Sequence, residues 1–139
     1  MERKIFLIST IVLLCSLIVG CNKKDSTIED IKADSYNISY KDSIIYNSDG
    51  RVDKTNVEEL VKKYNNIELT GTTADEVNSE KSILITFMYN NQISSEITIY
   101  DNGICSFNGN SKKYIISEDS NIYDDALKSY EELISKYKK

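Results

Sequence analysis

From Thr55 to Asn65 the apolar residues Val57, Leu60, Val61 and Tyr64 recur every three or four positions. That period predicts an amphipathic helix. Thr55 with Glu58 fits a capping box at its start. Glu58–Lys62 and Glu59–Lys63 are i,i+4 pairs of the favourable orientation on the polar side. A second helix is expected in "SNIYDDALKSYEELISKYKK", residues 120–139. Ile122, Ala126, Tyr130, Leu133 and Tyr137 line one side of it, and Leu127 and Ile134 widen the stripe. Asp124 and Asp125 near the start and Lys136, Lys138 and Lys139 at the end suit the helix dipole.

The other segments alternate with period two, or run apolar between Asn/Gly turns. "YNISYKDSIIYN", 36–47, reads as a first strand, and "SDGR" as a turn. "NIELTGTT" reads as a strand and "ADEVNSE" as a loop. "SILITFMY", "SSEITIY", "GICSFN" and "KKYIIS" follow as short strands of an antiparallel meander. The turn "DNG", 101–103, permits two registers. A two-residue loop would oppose Ile99 to Ser106. A three-residue loop with Gly103 in the left-handed region opposes Ile99 to Cys105 and Ile97 to Phe107. The second is preferred because it places apolar residues opposite each other on one face. That face also takes Ile83, Ile85, Phe87, Tyr114 and Ile116. The expected fold is α+β, order β-α-β-β-β-β-α, with two helices on one face of an antiparallel meander sheet. Residues 36–139 would form a single domain.

The same register assigns Leu84, Thr86, Met88, Glu96, Thr98, Tyr100, Ile104, Lys113 and Ile115 to the opposite face. A solvated face should be mainly polar. Leu84, Met88, Tyr100, Ile104 and Ile115 interrupt it, and an apolar patch with a polar rim marks an interaction site. The competing expectation is that residues 36–47 or the segment before them fold over this patch.

The N-terminus changes the picture. "MERK" is a short basic-leaning start, and "IFLISTIVLLCSLIVG", 5–20, is apolar or small throughout. This core is shorter than the ~20 residues that comfortably span a bilayer, which favours a signal peptide over a permanent membrane helix. It ends in Ile18, Val19, Gly20 and Cys21, then turns polar. "IVGC" resembles the lipobox of bacterial lipoproteins: aliphatic, variable, small, cysteine. The resemblance implies cleavage between Gly20 and Cys21 and a diacylglyceryl group on the Cys21 thiol. It also implies a lipid anchor on the extracytoplasmic face of the cell membrane, with two or three acyl chains, palmitate among them. Each buried CH₂ contributes ~0.8 kcal/mol, so such an anchor is stable. Residues 1–20 would be a signal peptide, and 21–35 the lipidated cysteine and a polar tether. Cys15 would be discarded with the leader. The remainder, 36–139, is similar in layout to small α+β domains of lipoproteins in low-G+C Gram-positive bacteria.

The chain carries −5 overall. Losing residues 1–20 removes Glu2, Arg3 and Lys4 and leaves 15 Lys+Arg against 21 Asp+Glu, or −6. Without a basic stripe, nucleic acid is not an expected partner. There is no histidine, so neither a Ser-His-Asp nor a Cys-His site can be built from this chain. Cys105 is the only cysteine beyond Cys21, which excludes a disulfide within the domain. Its expected position on the inward face makes it a small buried hydrophobe rather than a nucleophile. "NSDGRVD" around Gly50 fails as a calcium loop because Ile45 and Asn56 fall on ligand positions. Glu118, Asp119, Asp124 and Asp125 in "EDSNIYDD" are read as helix-start acids rather than a calcium site. No metal site, cofactor or catalytic residue is assigned. The expectation is a non-enzymatic lipoprotein that binds a partner protein or envelope component. One alternative is an inhibitor or immunity-type lipoprotein; another is a hydrolase working with paired carboxylates such as Glu131–Glu132.

Overall fold

A computed structural model describes residues 30–41 and 44–137. The apolar leader, the lipobox residues Gly20 and Cys21, Cys15 and most of the expected tether lie outside the described residues. Seven strands and two long helices follow: β1 (Ser35–Tyr40), β2 (Ile44–Asn47), α1 (Lys54–Asn65), β3 (Leu69–Thr73), β4 (Ile83–Tyr89), β5 (Gln92–Ile99), β6 (Ile104–Phe107), β7 (Lys113–Ile116) and α2 (Ile122–Tyr137). One short 3₁₀ turn, Ser79–Lys81, precedes β4. The strands form one sheet in the order β2-β1-β4-β5-β6-β7-β3, with every neighbour antiparallel.

The α+β class, the meander from β4 to β7 and the placement of both helices are as expected from the sequence. The strand count is higher than the expected order carries. Residues 36–47 are not one strand but two, because the chain reverses after Tyr40, with Lys41 at φ 58°. Five strands lie between the helices.

Inward residues alternate along β1 and along β4 to β7. Tyr36, Ile38, Ile83, Ile85, Phe87, Ile97, Ile99, Cys105, Phe107, Tyr114 and Ile116 join Val57 and Tyr64 of α1 and Ile122, Ala126, Tyr130 and Leu133 of α2 in one core. Ile38, Ile83, Ile85, Ile97 and Ile99 are wholly buried. Each such side chain contributes about 1.5–3 kcal/mol relative to exposure. Edge-on ring pairs tie the layers together. Tyr64 meets Phe87 at 5.5 Å between centroids, joining α1 to β4. Tyr40 meets Tyr130 at 5.7 Å, joining β1 to α2.

The turn after Ile99 takes the three-residue form. Gly103 sits at φ 76°, a region open to glycine without strain, and Ile99 faces Cys105 while Ile97 faces Phe107. The β4–β5 turn is a two-residue loop, with Asn90 at φ 51° and Asn91 at φ 60°. Both central residues of a type I′ hairpin need positive φ, and asparagine tolerates it best after glycine.

Two local expectations are corrected. The helix cap is Asp53, whose carboxylate accepts from the Asn56 amide at 2.9 Å. Thr55 lies inside the first turn, so the Thr55–Glu58 capping box does not form. The domain also begins earlier than residue 36. Ile31 is buried in the core, its amide donating to Asn65 Oδ1 at 2.8 Å, so residues 31–35 belong to the domain and not to a tether.

Candidate functional site

The register puts all five apolar candidates on the sheet face opposite the helices. Leu84 stands opposite Thr98, Ile104 opposite Ile115, and Met88 opposite Ile93. The Tyr100 amide donates to the Ile104 carbonyl at 2.9 Å, which brings the tyrosine beside that pair. Leu84, Tyr100, Ile104 and Ile115 therefore gather at the end of the sheet where β5 turns into β6. Met88 does not join them. It lies four residues from Leu84, about 13 Å along the strand. The positions between are polar: Thr86, whose hydroxyl donates to Glu96 Oε1 at 3.1 Å, and the pair Thr98–Ser106. The expected single patch is two.

Their exposure differs as well. Ile115 is 37 % exposed, Leu84, Met88 and Tyr100 are half-buried, and Ile104 is only 4 % exposed. No helix covers this face among the described residues, and β1 and β2 extend the sheet rather than folding over it. A different segment runs past it. β3 and β4 point the same way from opposite sides of β5, β6 and β7, so the link between them must cross the sheet. Lys113 Nζ donates to the Asp75 carbonyl at 2.7 Å, and Asn102 Nδ2 to the Glu76 carbonyl at 3.4 Å. Lys113 is an outward residue of β7, and Asn102 lies in the β5–β6 turn. Residues 74–78 thus pass the outer side of the sheet next to Ile104 and Ile115. "ADEVNSE" reads as a plain loop because nothing in its composition encodes which face it crosses.

On the other side of the molecule a cleft of ≈ 350 Å³ opens between the helices and β1, with Tyr36, Asn56, Glu59, Lys63, Glu132 and Lys136 on its walls. Burial raises the Tyr36 phenol above its ordinary value, and the Glu132 charge adds to the effect. Glu59 and Glu132 are both exposed, and Lys128 stands 3.9 Å from Glu132. This is a surface ion-pair setting, and it lacks the enclosure that separates the roles of an acid and a base. Lys63 pairs with Asp125 of α2 and joins the two helices on the rim.

Cys105 is wholly buried and free, and burial pushes its thiol up to about 12. The thiolate is the reactive form, so this sulfur is inert in the folded chain. Asp124 and Asp125 stand in the first turn of α2. Among the described residues no cluster of three or more Asp, Glu, Cys or His could hold a metal ion, and no helix is long and apolar enough to cross a membrane.

Two exposed residues escaped the sequence reading. Tyr89 is 47 % exposed and Ile93 62 %, Tyr89 directly before the Asn90–Asn91 turn and Ile93 two residues after it. The signal available was the Asn-Asn pair between two extended segments, which marks a tight hairpin.

Comparison with protein-family models, with curated proteins and with solved structures gives no match.

Proposed function

We propose that this chain is a lipoprotein anchored through Cys21 to the extracytoplasmic face of the cell membrane, acting without enzymatic chemistry by binding a partner protein or envelope component. The observation that carries the reading is the order of features at the N-terminus: a basic-leaning start, an apolar core of residues 5–20, and Ile-Val-Gly-Cys at its end. An anchor of two or three acyl chains fixes location and leaves the folded domain free to meet partners near the membrane. Support for binding comes from Leu84, Tyr100 and Ile115, an apolar group on the sheet face away from the helices with Thr98, Ser106 and Lys113 around it. A half-exposed apolar group with polar neighbours is a usual interaction surface.

The anchor is tested by Cys21→Ser. That variant should incorporate no radiolabelled palmitate and should keep its leader. Normal incorporation would remove the lipoprotein reading. Partner binding is tested by crosslinking on intact cells with the lipidated protein, comparing wild type with Tyr100→Ala/Ile115→Lys. The double variant should fold and lose the crosslinked species. An unchanged crosslinking pattern would exclude this face as the contact.

A further inference from the structure

Among the described residues, the exposed large hydrophobic side chains are Tyr89, Ile93 and Ile115, and the first two share one hairpin tip. They stand on opposite sides of it. Ile93 is opposite Met88 and so on the outer face, while Tyr89 borders a shallow hollow on the helix side with Ala33, Val61, Lys32, Lys62 and the carboxylate of Glu58. The tip therefore carries an apolar side chain on each flank, with Lys32 and Lys62 and also Glu58 and Asp34 close by.

The chain enters the domain at the same place. The Asp34 amide donates to the Met88 carbonyl at 2.9 Å, and the Asn90 amide donates to Asp34 Oδ2 at 2.9 Å. Ser94 Oγ donates to the Lys32 carbonyl. Residues 32–34 are thus fastened along the β4–β5 hairpin. Asp30 stands nine positions after Cys21. Nine peptide units span at most about 30 Å in any conformation. With acyl chains on Cys21, the hairpin end, where the chain enters the domain, lies within about 30 Å of the bilayer.

Resting on the proposed Cys21 anchor, we infer that the β4–β5 tip is a membrane-contact surface, inserting Ile93, Tyr89 and Met88 at the lipid headgroup boundary. An aliphatic side chain gains by leaving water there, and a tyrosine ring is suited to the boundary because one end is apolar and the other polar. Lys32 and Lys62 lie near the tip, but the chain beyond residue 20, at net charge −6, is not drawn to an anionic surface as a whole. The contact is therefore mainly apolar and tolerates salt. It also orients the molecule: Leu84, Tyr100 and Ile115, at the opposite end of the sheet, face away from the bilayer.

The test uses full-length lipidated protein in vesicles of phosphatidylglycerol and phosphatidylethanolamine. Ile93→Cys and, separately, Ile115→Cys carry an environment-sensitive fluorophore; the wholly buried Cys105 stays unlabelled. Spin-labelled lipid should quench the probe at position 93 roughly threefold or more above the probe at 115, with a blue-shifted emission that persists in high salt. Vesicle flotation separates the two levels of inference. Protein that does not float overturns the anchor and this surface together. Protein that floats while its probe at 93 is quenched no more than the one at 115 overturns the surface alone. A shift at 93 that appears only on adding envelope proteins assigns the tip to a protein contact and equally overturns it.

Discussion

Replacing Cys105 by alanine should destabilise the protein near neutral pH and cease to do so at alkaline pH. The thiol is wholly buried, and burial lifts it from 9.0 to about 12. The folded state therefore holds the proton where the unfolded chain releases it. Stability from this group is fully present below pH 9 and is lost as pH rises from about 9 through about 12. At pH 10 the unfolded thiol is about nine-tenths ionised and the folded one about one-hundredth, which amounts to about 1.4 kcal/mol. At pH 8 the same calculation gives less than about 0.1 kcal/mol. Tyr36, Tyr64 and Tyr123 are also raised from 10.0, so wild type and variant share their contribution. Urea unfolding of both proteins under reducing conditions at pH 8 and pH 10 isolates the cysteine. Cys105→Ala should cost about 1 kcal/mol at pH 8, as for a small buried group. The deficit should vanish or reverse by pH 10. A constant difference across that range would refute the buried thiol, as would rapid reaction of the native protein with a thiol reagent at pH 8.

Asp53→Ala should lower stability by about 1 kcal/mol by removing the cap on the Asn56 amide, while Thr55→Ala should stay within about 0.5 kcal/mol; equal losses in urea melts would return the cap to Thr55. Gly103→Ala forces a side chain into positive φ and should cost about 1 kcal/mol or more, with Gly103→Asn less damaging; thermal melts of the two variants compare them. The Tyr64 hydroxyl is buried without a hydrogen-bond partner among the described residues. Tyr64→Phe should therefore hold or raise the unfolding free energy in urea melts, by up to about 1 kcal/mol, and a marked loss would reveal a bond to that oxygen.

Short-range order was legible in the sequence. Period two in "SILITFMY" and "SSEITIY" decides which side chains share a face, and aligning apolar residues across "DNG" leaves one register, which the structure has. Period 3.6 decides the buried stripes of both helices in the same way. These are properties of neighbours in the chain, and a pattern of neighbours records them. The cap was less legible, because Asp53 and Thr55 are both capping residue types, and two positions decide which carries the bond. The reversal after Tyr40 left no glycine or proline to announce it.

The relations among segments came only with the tertiary structure. β3 lies at the far edge beside β7, and β1 fits between β2 and β4, because each placement buries apolar side chains from distant parts of the chain at once. Passage of residues 74–78 along the outer face and the seating of residues 31–34 on the β4–β5 hairpin follow from that arrangement. A face is encoded by a local period. What lies over the face, and which end of it the chain enters, depends on contacts between segments tens of residues apart, and those form only where the whole chain has packed.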